Sequence, residues 1–420
     1  MKNHYNVIVI GGGMAGSAAA ISAAREGANV LLIEKYNCLG GAAAFDLINP
    51  FMPYKTKLED GTKKAVNAGL FTEILERLDA MGGVRAGTEH APVFEVEYLK
   101  KLLNDMARDA GVNLLFGAHL TDVSVLDGRI NSVTVSSVSG ELDFSADVYI
   151  DASGDANLSF LAGAPYRIGR DGDSLCQPMT LCFRLADVDA EKFAKQRAEI
   201  NPLYKKMKKD GLIKNPREDV LLFKTLSDSI IHFNTTRVVK RNPTDIFDVT
   251  ESELEARDQV FEMLDFLKSN FTAFENAKLI QTGMQIGARE SRMIIGEHVL
   301  TKDDITSMTK FPDGIAACNY DIDIHSPDGS GTSHWFFPDG EYYTIPYRAL
   351  IPKGFCNLLV AGRCISADHD AQASLRVMPP CTSVGEAAGI AAAMAKRGDV
   401  KSVDTELLRA KLRERGAVVD

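Results

Sequence analysis

Three glycines and one acid near the amino terminus have the types and spacing that bind a dinucleotide. Gly11, Gly13 and Gly16 follow the G-x-G-x-x-G pattern directly after a short apolar run, and Glu34 ends the next apolar run. The first glycine permits a tight turn, the second lets the backbone approach a pyrophosphate, and the third lets a helix pack closely. The helix N-terminus attracts phosphates, and an acid at Glu34 accepts hydrogen bonds from a ribose. The sequence therefore predicts a dinucleotide site.

Five basic side chains in the second half of the chain could act on a substrate. They are Arg289, Arg292, Arg348, Arg376 and His325. Guanidinium groups bind carboxylates at two points, which indicates an anionic substrate, whereas pairing with neighbouring acids would only brace the fold. His325 could be a general acid or base because its unperturbed pKa lies near neutrality. An exposed histidine on a strand is the alternative.

Metal and dithiol chemistry have little support in the sequence. Asp321, Asp323 and His325 alternate along one predicted strand, but no convergent fourth ligand accompanies them, so we predict no metal site. The seven cysteines are scattered and include no C-x-x-C pair, which favours a reducing cytoplasm and excludes the dithiol chemistry of disulfide reductases.

Composition narrows the class of partner. The net charge of −10 argues against a nucleic-acid binder, which would need a basic face. No apolar run is long enough to span a bilayer, and the first strand runs directly into the glycine turn, so a signal peptide is not expected. We therefore expect a cytoplasmic protein with a small-molecule substrate, and homo-oligomerisation remains open.

The hydrophobic pattern predicts an α/β fold whose elements position these residues. Short apolar runs indicate buried parallel strands, alternation indicates a β-meander, and spacing of three and four residues indicates helices. Gly385 and Gly389 interrupt the last of these helices, which indicates a close backbone approach. The predicted strands are 7–10, 30–33, 112–116, 120–125, 130–137, 141–144, 147–151 and 358–362, and the predicted helices include 70–81, 96–110 and 382–394.

A change in residue composition along the chain predicts two domains. Residues 169–343 contain more lysines, prolines and long polar loops, with helices expected near 189–209 and 250–275. This segment would be an inserted α+β substrate domain. Residues 1–168 and 344–420 would then form one discontinuous nucleotide-binding domain.

Several motifs resemble one known family. They are Val7 to Gly16 with Glu34, Cys38-Leu-Gly-Gly, Asp151-Ala-Ser-Gly-Asp-Ala, residues 287–292 with 296–300, residues 345–352, residues 359–366 and residues 376–389. The chain is similar to the FAD-dependent oxidoreductases that have a glutathione-reductase-like FAD domain. Within them it resembles the group related to the fumarate reductase and succinate dehydrogenase flavoproteins. The resemblance implies a Rossmann-like FAD-binding domain, with a parallel sheet and β-meander.

The resemblance also implies a role for each matching position. Gly11, Gly12, Gly13, Met14, Ala15 and Gly16 would hold the pyrophosphate, Glu34 the adenosine ribose, and Gly40 and Gly41 the phosphate or ribityl chain. The backbone near Leu120 would meet the adenine, and Ala152, Ser153 and Gly154 would line the dinucleotide. Gly362 and Arg363 would approach the ribityl chain, with Val377, Met378 and Thr382 beside the flavin ring, and Lys35 and Ala42 would also bind the cofactor. Related flavoproteins often have an acid where Arg363 stands. A helix N-terminus beside the ring would stabilise its anionic reduced form.

These observations predict an oxidoreductase with noncovalent FAD that transfers hydride to or from a small, carboxylate-bearing molecule. Arg376, Arg289, Arg348 and His325 are its candidate catalytic residues, and Arg376 is preferred because it precedes the flavin-side turn. Since one G-x-G-x-x-G pattern is present, a dedicated second nucleotide domain is not expected, and the electron donor or acceptor stays unknown. Two alternatives remain open: a dehydrogenase that binds NAD alone, and a flavin-binding protein that carries electrons without catalysis.

Overall fold

Five parallel strands place the predicted nucleotide-binding residues at one edge of a sheet. In the computed structural model, which describes residues 3–329 and 331–420, the strands before residue 169 are β1 (His4–Ile10), β2 (Val30–Glu34), β3 (Lys55–Lys57), β4 (Lys63–Ala65), β5 (Asn113–Phe116), β6 (His119–Leu126), β7 (Arg129–Ser137), β8 (Gly140–Asp151) and β9 (Tyr166–Ile168). The helices of this part are α1 (Met14–Arg25), α2 (Ala42–Phe45), α3 (Leu70–Ala80), α4 (Val96–Asp109) and α5 (Asn157–Leu161).

The middle of the chain adds a second layer of strands and two long helices. Its strands are β10 (Phe183–Ala186), β11 (Leu222–Lys224), β12 (Ile231–Phe233), β13 (Lys278–Thr282), β14 (Arg292–Ile294), β15 (Gly314–Cys318), β16 (Ile322–His325) and β17 (Thr332–Trp335). Its helices are α6 (Ala190–Lys209), α7 (Ile246–Asn270) and α8 (Lys302–Thr306). The final part contributes β18 (Tyr343–Pro346), β19 (Leu358–Val360), α9 (His369–Leu375), α10 (Met378–Met394) and α11 (Thr405–Glu414). Short 3-10 helices span Thr272–Phe274, Tyr347–Leu350, Lys396–Gly398 and Val400–Ser402.

The main sheet confirms the predicted α/β fold. Its parallel part has the order β5-β2-β1-β8-β19, and β6, β7 and β8 form the antiparallel meander. Ile10 pairs with Ile33 and Asp151, and Asp151 pairs with Val360, so four strands end at one level. Ligands of such sheets bind outside the carboxyl ends of the strands. The glycine turn after β1 therefore meets the segments that follow β2, β8 and β19.

Some predicted boundaries were wrong. The last helix, predicted from Thr382, begins at Met378, and the last strand ends at Val360 and not at Gly362. Residues 141–144 and 147–151 were predicted as separate strands, but both belong to β8. Its first residues pair with β7 in the meander, whereas its last residues pair with β1 and β19 in the parallel sheet. The strand therefore has alternating burial in the meander and continuous burial in the parallel sheet. No turn residue interrupts it at Ser145 and Ala146.

A second hydrophobic cluster lies apart from the main one. It gathers buried residues between Met179 and Ile286, including those of the sheet β11-β12-β10-β13 and of α6 and α7. Buried residues from Ile294 to Ile322 belong to the main cluster instead. The division of the chain into residues 169–343 and the remainder stays a prediction. The packing favours a second unit smaller than residues 169–343.

The interior glycines of α10 allow it to lie directly on α1, as predicted. A methyl group on Gly385 would lie 2.1 Å from the carbonyl oxygen of Ala15, and one on Gly389 would lie 2.1 Å from that of Ala19. The two helices therefore meet backbone to backbone. This contact holds the start of α10 close to the glycine turn that precedes α1.

Replacing Gly385 by alanine should destabilise the fold. Helix propensity alone favours alanine by about 1 kcal/mol, so an uncrowded helix would become more stable. Overpacking against α1 costs about 1–3 kcal/mol or more, which reverses the sign. We expect urea denaturation to show a lower free energy of unfolding for both Gly385→Ala and Gly389→Ala. A gain in stability for either variant would contradict the close packing.

Candidate active site

The glycines of the first turn have two different surroundings. A methyl group on Gly11 would lie 2.5 Å from the Ala152 carbonyl oxygen, and one on Gly16 would lie 1.8 Å from the Gly11 carbonyl oxygen. At Gly13 the nearest atom would be the Cα of Gly41, at 3.8 Å, so the protein leaves room there. No side chain caps α1 at Gly13, and its first N–H groups stay available to an anion. The cradle fits the diphosphate of a dinucleotide.

The second glycine turn lies against the first. The Gly40 N–H donates to the Gly12 carbonyl oxygen over 2.8 Å, and a methyl group on Gly41 would lie 2.7 Å from the Cα of Gly13. Gly40 and Gly41 have φ values of 120° and 52°, which a residue with a side chain rarely adopts. The two turns therefore form one backbone-lined surface, and Ala42 continues from it into the larger of the two cavities that adjoin this edge of the sheet.

A cavity of about 360 Å³ opens beside Gly11 and the end of β2. Lys35, Leu120 and Ser153, three of the residues that the sequence predicts for adenosine and dinucleotide binding, line it together with Glu34. The buried Glu34 carboxylate accepts the Gly12 N–H over 2.6 Å and the Tyr36 N–H over 2.9 Å. Each oxygen keeps acceptor capacity, so the group can still bind a hydroxyl.

Arg292 belongs to this smaller cavity and not to a substrate site. Its guanidinium lies 4.1 Å from the centre of the Phe160 ring, and it donates to the Asp155 carbonyl oxygen over 3.0 Å and to Asn157 over 3.2 Å. Nucleotide bases stack on planar groups of this kind. The sequence offered Arg292 as a possible anion ligand, and only the fold shows that it lines the smaller cavity together with Glu34 and Leu120.

Arg363, which follows β19, forms an ion pair with Asp155, which follows β8. Arg363 donates to Asp155 over 2.5 Å, and its Nε is buried without a hydrogen-bond partner in the described residues. Burial opposes ionisation of Asp155, but the Arg363 charge and the Ser291 hydroxyl outweigh it, so the pKa of Asp155 lies below its ordinary value. A methyl group on Gly154 would lie 3.0 Å from Arg363. Gly154 thus makes room for this ion pair.

The larger cavity has a volume of about 440 Å³ and joins the predicted flavin-binding and catalytic residues. Residues of both predicted kinds line it, namely Ala42, Arg363, Val377 and Met378 for the cofactor and Arg289, His325 and Arg376 for catalysis. The fold therefore brings together residues that are far apart in sequence. Gly362 has a φ of 96°, and a methyl group added to it would lie only 3.2 Å from the Cβ of Ala15. The absence of a side chain at Gly362 therefore allows this arrangement.

Arg289 is a guanidinium in the cavity wall without a carboxylate partner among the described residues. It donates to the Pro178 carbonyl oxygen over 2.6 Å and to the Thr180 hydroxyl over 2.5 Å, both of which are neutral. Burial and the charges of Arg376, Arg217 and Arg237 lower the pKa of Arg289. The side chain remains cationic at neutral pH because arginine starts from so high a value. An anionic ligand would relieve this excess of positive charge.

Arg376 points to the same cavity but has an internal partner. Its Nη2 lies 3.4 Å from the Asp323 carboxylate and donates to the Asp323 carbonyl oxygen over 3.3 Å, whereas its Nε is buried without a partner. Burial opposes ionisation of Asp323, yet the hydrogen bond from His325 and nearby positive charges hold its pKa far below the usual value. Arg376 therefore braces the fold through Asp323, and its Nε–H is still able to donate to a ligand.

His325 is held neutral, which argues against general acid chemistry near neutral pH. Arg237 donates to its Nδ1 over 2.7 Å, and its Nε2 lies 3.4 Å from Asp323. Since Nδ1 accepts, the ring proton must sit on Nε2. Burial and the charge of Arg289 lower the pKa of His325 to about 3. The histidine is buried, so the exposed-strand alternative is wrong as well.

Two predicted residues lie outside the cavity wall. Arg348 is half-exposed and donates to both oxygens of Asp313, over 2.9 and 3.2 Å, which is a bracing ion pair. Thr382 is buried within α10, and its hydroxyl donates to the Met378 carbonyl oxygen over 2.8 Å. Neither residue is among those that line the larger cavity. Their motifs resembled those of site residues, but Arg348 braces the fold through Asp313 and Thr382 bonds within its own helix.

The start of α10 has fewer donors than an ordinary helix. Pro379 and Pro380 occupy the first turn and have no N–H group, and the Cys381 N–H bonds to the Val377 carbonyl oxygen. Met378 thus carries the remaining backbone N–H of this turn. The partial positive charge of the helix remains, so the predicted stabilisation of a reduced ring rests mainly on the dipole.

Asp46 is a cavity residue that the sequence reasoning missed. It follows the second glycine turn closely, and the whole residue is only 3% exposed. Burial raises the pKa of Asp46 to about 7, although a hydrogen bond from Gln285 and the charge of Arg363 work in the other direction. Its position shortly after Gly41 is the sequence feature that could have identified it as a site residue.

Comparison with known proteins decides the family. A family model described as FAD dependent oxidoreductase matches residues 6–412. The chain belongs to the FAD-dependent oxidoreductase family. Membership makes the protein an enzyme with FAD as its cofactor and favours FAD over NAD as the dinucleotide in the glycine cradle. The electron-carrier alternative loses its basis for the same reason.

Curated relatives of this FAD-dependent oxidoreductase match part of the chain. Digeranylgeranylglycerophospholipid reductase 2 of Methanococcoides burtonii is 27% identical over 161 residues, which is 37% of this chain and 39% of the relative. A digeranylgeranylglycerophospholipid reductase of Methanoculleus marisnigri is 29% identical over 162 residues, with 37% and 39% coverage. The chain thus matches about two fifths of the length of these relatives.

Solved structures agree on the fold of this FAD-dependent oxidoreductase. A triple mutant of the flavin-dependent brominase Bmp2 has a TM-score of 0.50 and 16% identity, over 98% of this chain and 84% of that chain. The flavin-dependent halogenase CmlS has a TM-score of 0.50 and 14% identity, over 99% and 62%. Within residues 3–329 and 331–420, no helix is both long and apolar enough to cross a membrane.

Proposed function

We propose that this FAD-dependent oxidoreductase transfers hydride between its flavin and a small organic acid whose carboxylate is bound by Arg289. The observation that carries the proposal is the Arg289 guanidinium, which faces the larger cavity and has only neutral partners among the described residues. A partly buried guanidinium that faces a cavity favours a bidentate carboxylate. The FAD, when bound, accepts or supplies the hydride.

The residues of the protein would bind the cofactor and orient the substrate. The glycine cradle at Gly13 and the Asp155–Arg363 pair would hold the diphosphate and the adjoining part of FAD. Val377 and Met378 would lie beside the ring, because they begin α10 in the wall of the larger cavity. Arg289 would orient the substrate, with Arg376 as a second donor.

The charges of the cavity distinguish this substrate class from an isoprenoid chain. Arg217, Arg289, Arg376, Asp323 and Glu218 all line the cavity. Arg376 pairs with Asp323, Arg217 with Asp219 and Glu218 with Arg237. An uncharged isoprenoid chain, as in the names of the archaeal relatives, would still leave the Arg289 guanidinium without a partner of opposite charge. A small anion pairs with the arginines, so the cavity favours an organic acid.

Anaerobic flavin spectroscopy tests the proposal. The oxidised enzyme is mixed with 2-hydroxy acids and 2-amino acids, and the reduced enzyme with enoic and 2-oxo acids, while NAD(P)H is tested as reductant. We expect one carboxylic acid to bleach or restore the flavin absorption band, and its primary amide to do so far more slowly. Equal rates with the acid and its amide would contradict a role for the carboxylate.

A further inference from the structure

Asp46 is an ionisable carboxyl group that the proposed function leaves without a role. It lies in the wall of the larger cavity, which Arg289 and Met378 also line. Its Oδ1 accepts a hydrogen bond from the Gln285 amide over 2.8 Å, and Gln285 in turn accepts one from the Tyr36 hydroxyl. A short hydrogen-bonded chain therefore fixes the carboxyl group from one side. The cavity lies on the other.

Two other ionisable groups of the cavity are poorly suited to exchange a proton at neutral pH. His325 accepts from Arg237 at Nδ1 and faces Asp323 at Nε2, so both ring nitrogens are engaged. Asp323 is surrounded by Tyr320, Arg376 and His325, which stabilise its ionised form. Asp46 has a neutral amide as its hydrogen-bonded partner, and its charge is therefore less constrained.

We propose that Asp46 exchanges the proton that accompanies hydride transfer, an inference that rests on the proposed function. In the oxidative direction, the substrate C–H bond breaks and hydride passes to the flavin with its electron pair. The neighbouring O–H or N–H bond breaks, its proton moves to an oxygen of Asp46, and a C=O or C=N bond forms. In the reductive direction, hydride would come from the bound flavin, and Asp46 would return the proton to the oxygen or nitrogen of the substrate. Water at the cavity resets the carboxyl group.

The surroundings of Asp46 match this task. Burial raises its pKa to about 7, against the hydrogen bond from Gln285 and the charges of Arg363 and Lys35, while Asp155 raises it further. A group that titrates near the working pH can both accept and donate a proton. Cys182 and Tyr36 also face Asp46, and burial raises the pKa of each, so both stay neutral in this range.

The pH dependence of the flavin midpoint potential tests the proposal without a substrate. Each proton taken up with two electrons lowers the potential by about 30 mV per pH unit, because a tenfold change in a two-electron equilibrium equals about 30 mV. Above about pH 7 Asp46 is ionised in the oxidised enzyme. The negative charge that reduction adds raises its pKa, so Asp46 takes up a proton with the electrons. The slope should therefore steepen there by about 30 mV per pH unit.

Matched variants of the FAD-loaded enzyme decide the outcome. Asp46→Asn should lack the steeper segment, while Asp171→Asn, at an exposed position paired with Arg167, should keep it. Gln285→Met keeps the Asp46 carboxyl group but removes a hydrogen bond that favours its ionisation, so the pH at which the slope steepens (the break) should rise. This variant keeps the test decisive even if Asp46→Asn binds FAD poorly. Parallel curves for wild type and Asp46→Asn, or an unmoved break in Gln285→Met, would overturn the proposal.

Infrared spectroscopy of wild-type protein provides a readout that needs neither a variant nor a substrate. With ¹³C-labelled aspartate, the band of a protonated buried carboxyl group should disappear as the pH rises through about 7. A carboxyl group ionised throughout pH 5–9 would overturn the proposal. Failure of every acid in the flavin screen would instead refute the proposed function, and the potential curves would still report on Asp46.

Discussion

Replacing Arg289 by methionine is expected to raise the KM for the reactive carboxylic acid by about 100-fold, with a smaller change in kcat. Removing one partner of a buried, hydrogen-bonded charge pair costs about 2–5 kcal/mol, and about 2.7 kcal/mol corresponds to 100-fold. The KM carries most of the effect because Arg289 binds the carboxylate before and during hydride transfer alike. Steady-state kinetics with the acid found in the flavin screen measures it.

Three comparisons separate the charge of Arg289 from a general disturbance. The amide of the same acid should show little difference between wild type and Arg289→Met, because it has no carboxylate to lose. Arg289→Lys should recover part of the affinity, since it keeps the charge but loses the two-point geometry. Arg413→Met removes a surface guanidinium that pairs with Asp420 and should leave KM unchanged. An equal rise in KM for acid and amide would refute carboxylate binding.

Replacing Gly13 by alanine should weaken FAD binding on the order of 100-fold while the apoprotein keeps its stability. Gly13 has φ of −65° and ψ of −173°, which alanine adopts freely, and its methyl group would approach nothing closer than the Cα of Gly41 at 3.8 Å. The methyl group would instead occupy the space through which the diphosphate reaches the N–H groups of α1. Each hydrogen bond to a charged group contributes about 1.5–3 kcal/mol, so the loss of one accounts for the effect.

Gly11→Ala is the informative contrast. Gly11 has φ of 98°, and its methyl group would lie 2.5 Å from the Ala152 carbonyl oxygen. That substitution should lower the melting temperature of the apoprotein itself, because backbone strain and overpacking each cost about 1–3 kcal/mol. Calorimetry of the apoproteins and fluorescence titration with FAD measure the two effects. Wild-type FAD affinity in a folded Gly13→Ala protein would refute the cradle.

The first nucleotide-binding segment could be predicted almost completely because its information is local. A β-branched apolar run predicts β1, and the glycine positions state which backbone atoms need room. The structure confirms β1, α1 and β2 in that order. The periodic apolar faces that predicted helices over 70–81 and 96–110 are likewise local, and α3 and α4 confirm them within a residue or so.

The substrate side could be predicted only as a set of candidates. Arg289 and Arg348 both belong to motifs of the resemblance, and nothing within those motifs says which one will meet an acid. The fold places Asp313 beside Arg348, whereas it gives Arg289 only the neutral oxygens of Pro178 and Thr180. His325 similarly depends on Arg237, which is remote in sequence and fixes the ring tautomer.

The sequence by itself therefore determined the α/β fold, the glycine cradle, the family and the cofactor, since each follows from short contiguous patterns. Only the tertiary structure decided which arginine remains available to an anion, that His325 is neutral, and that Asp46 titrates near neutrality. Pairing and protonation depend on desolvation and on distances between charges. Those quantities arise when segments remote in sequence, such as Asp46, Gln285 and Arg363, are brought around one cavity.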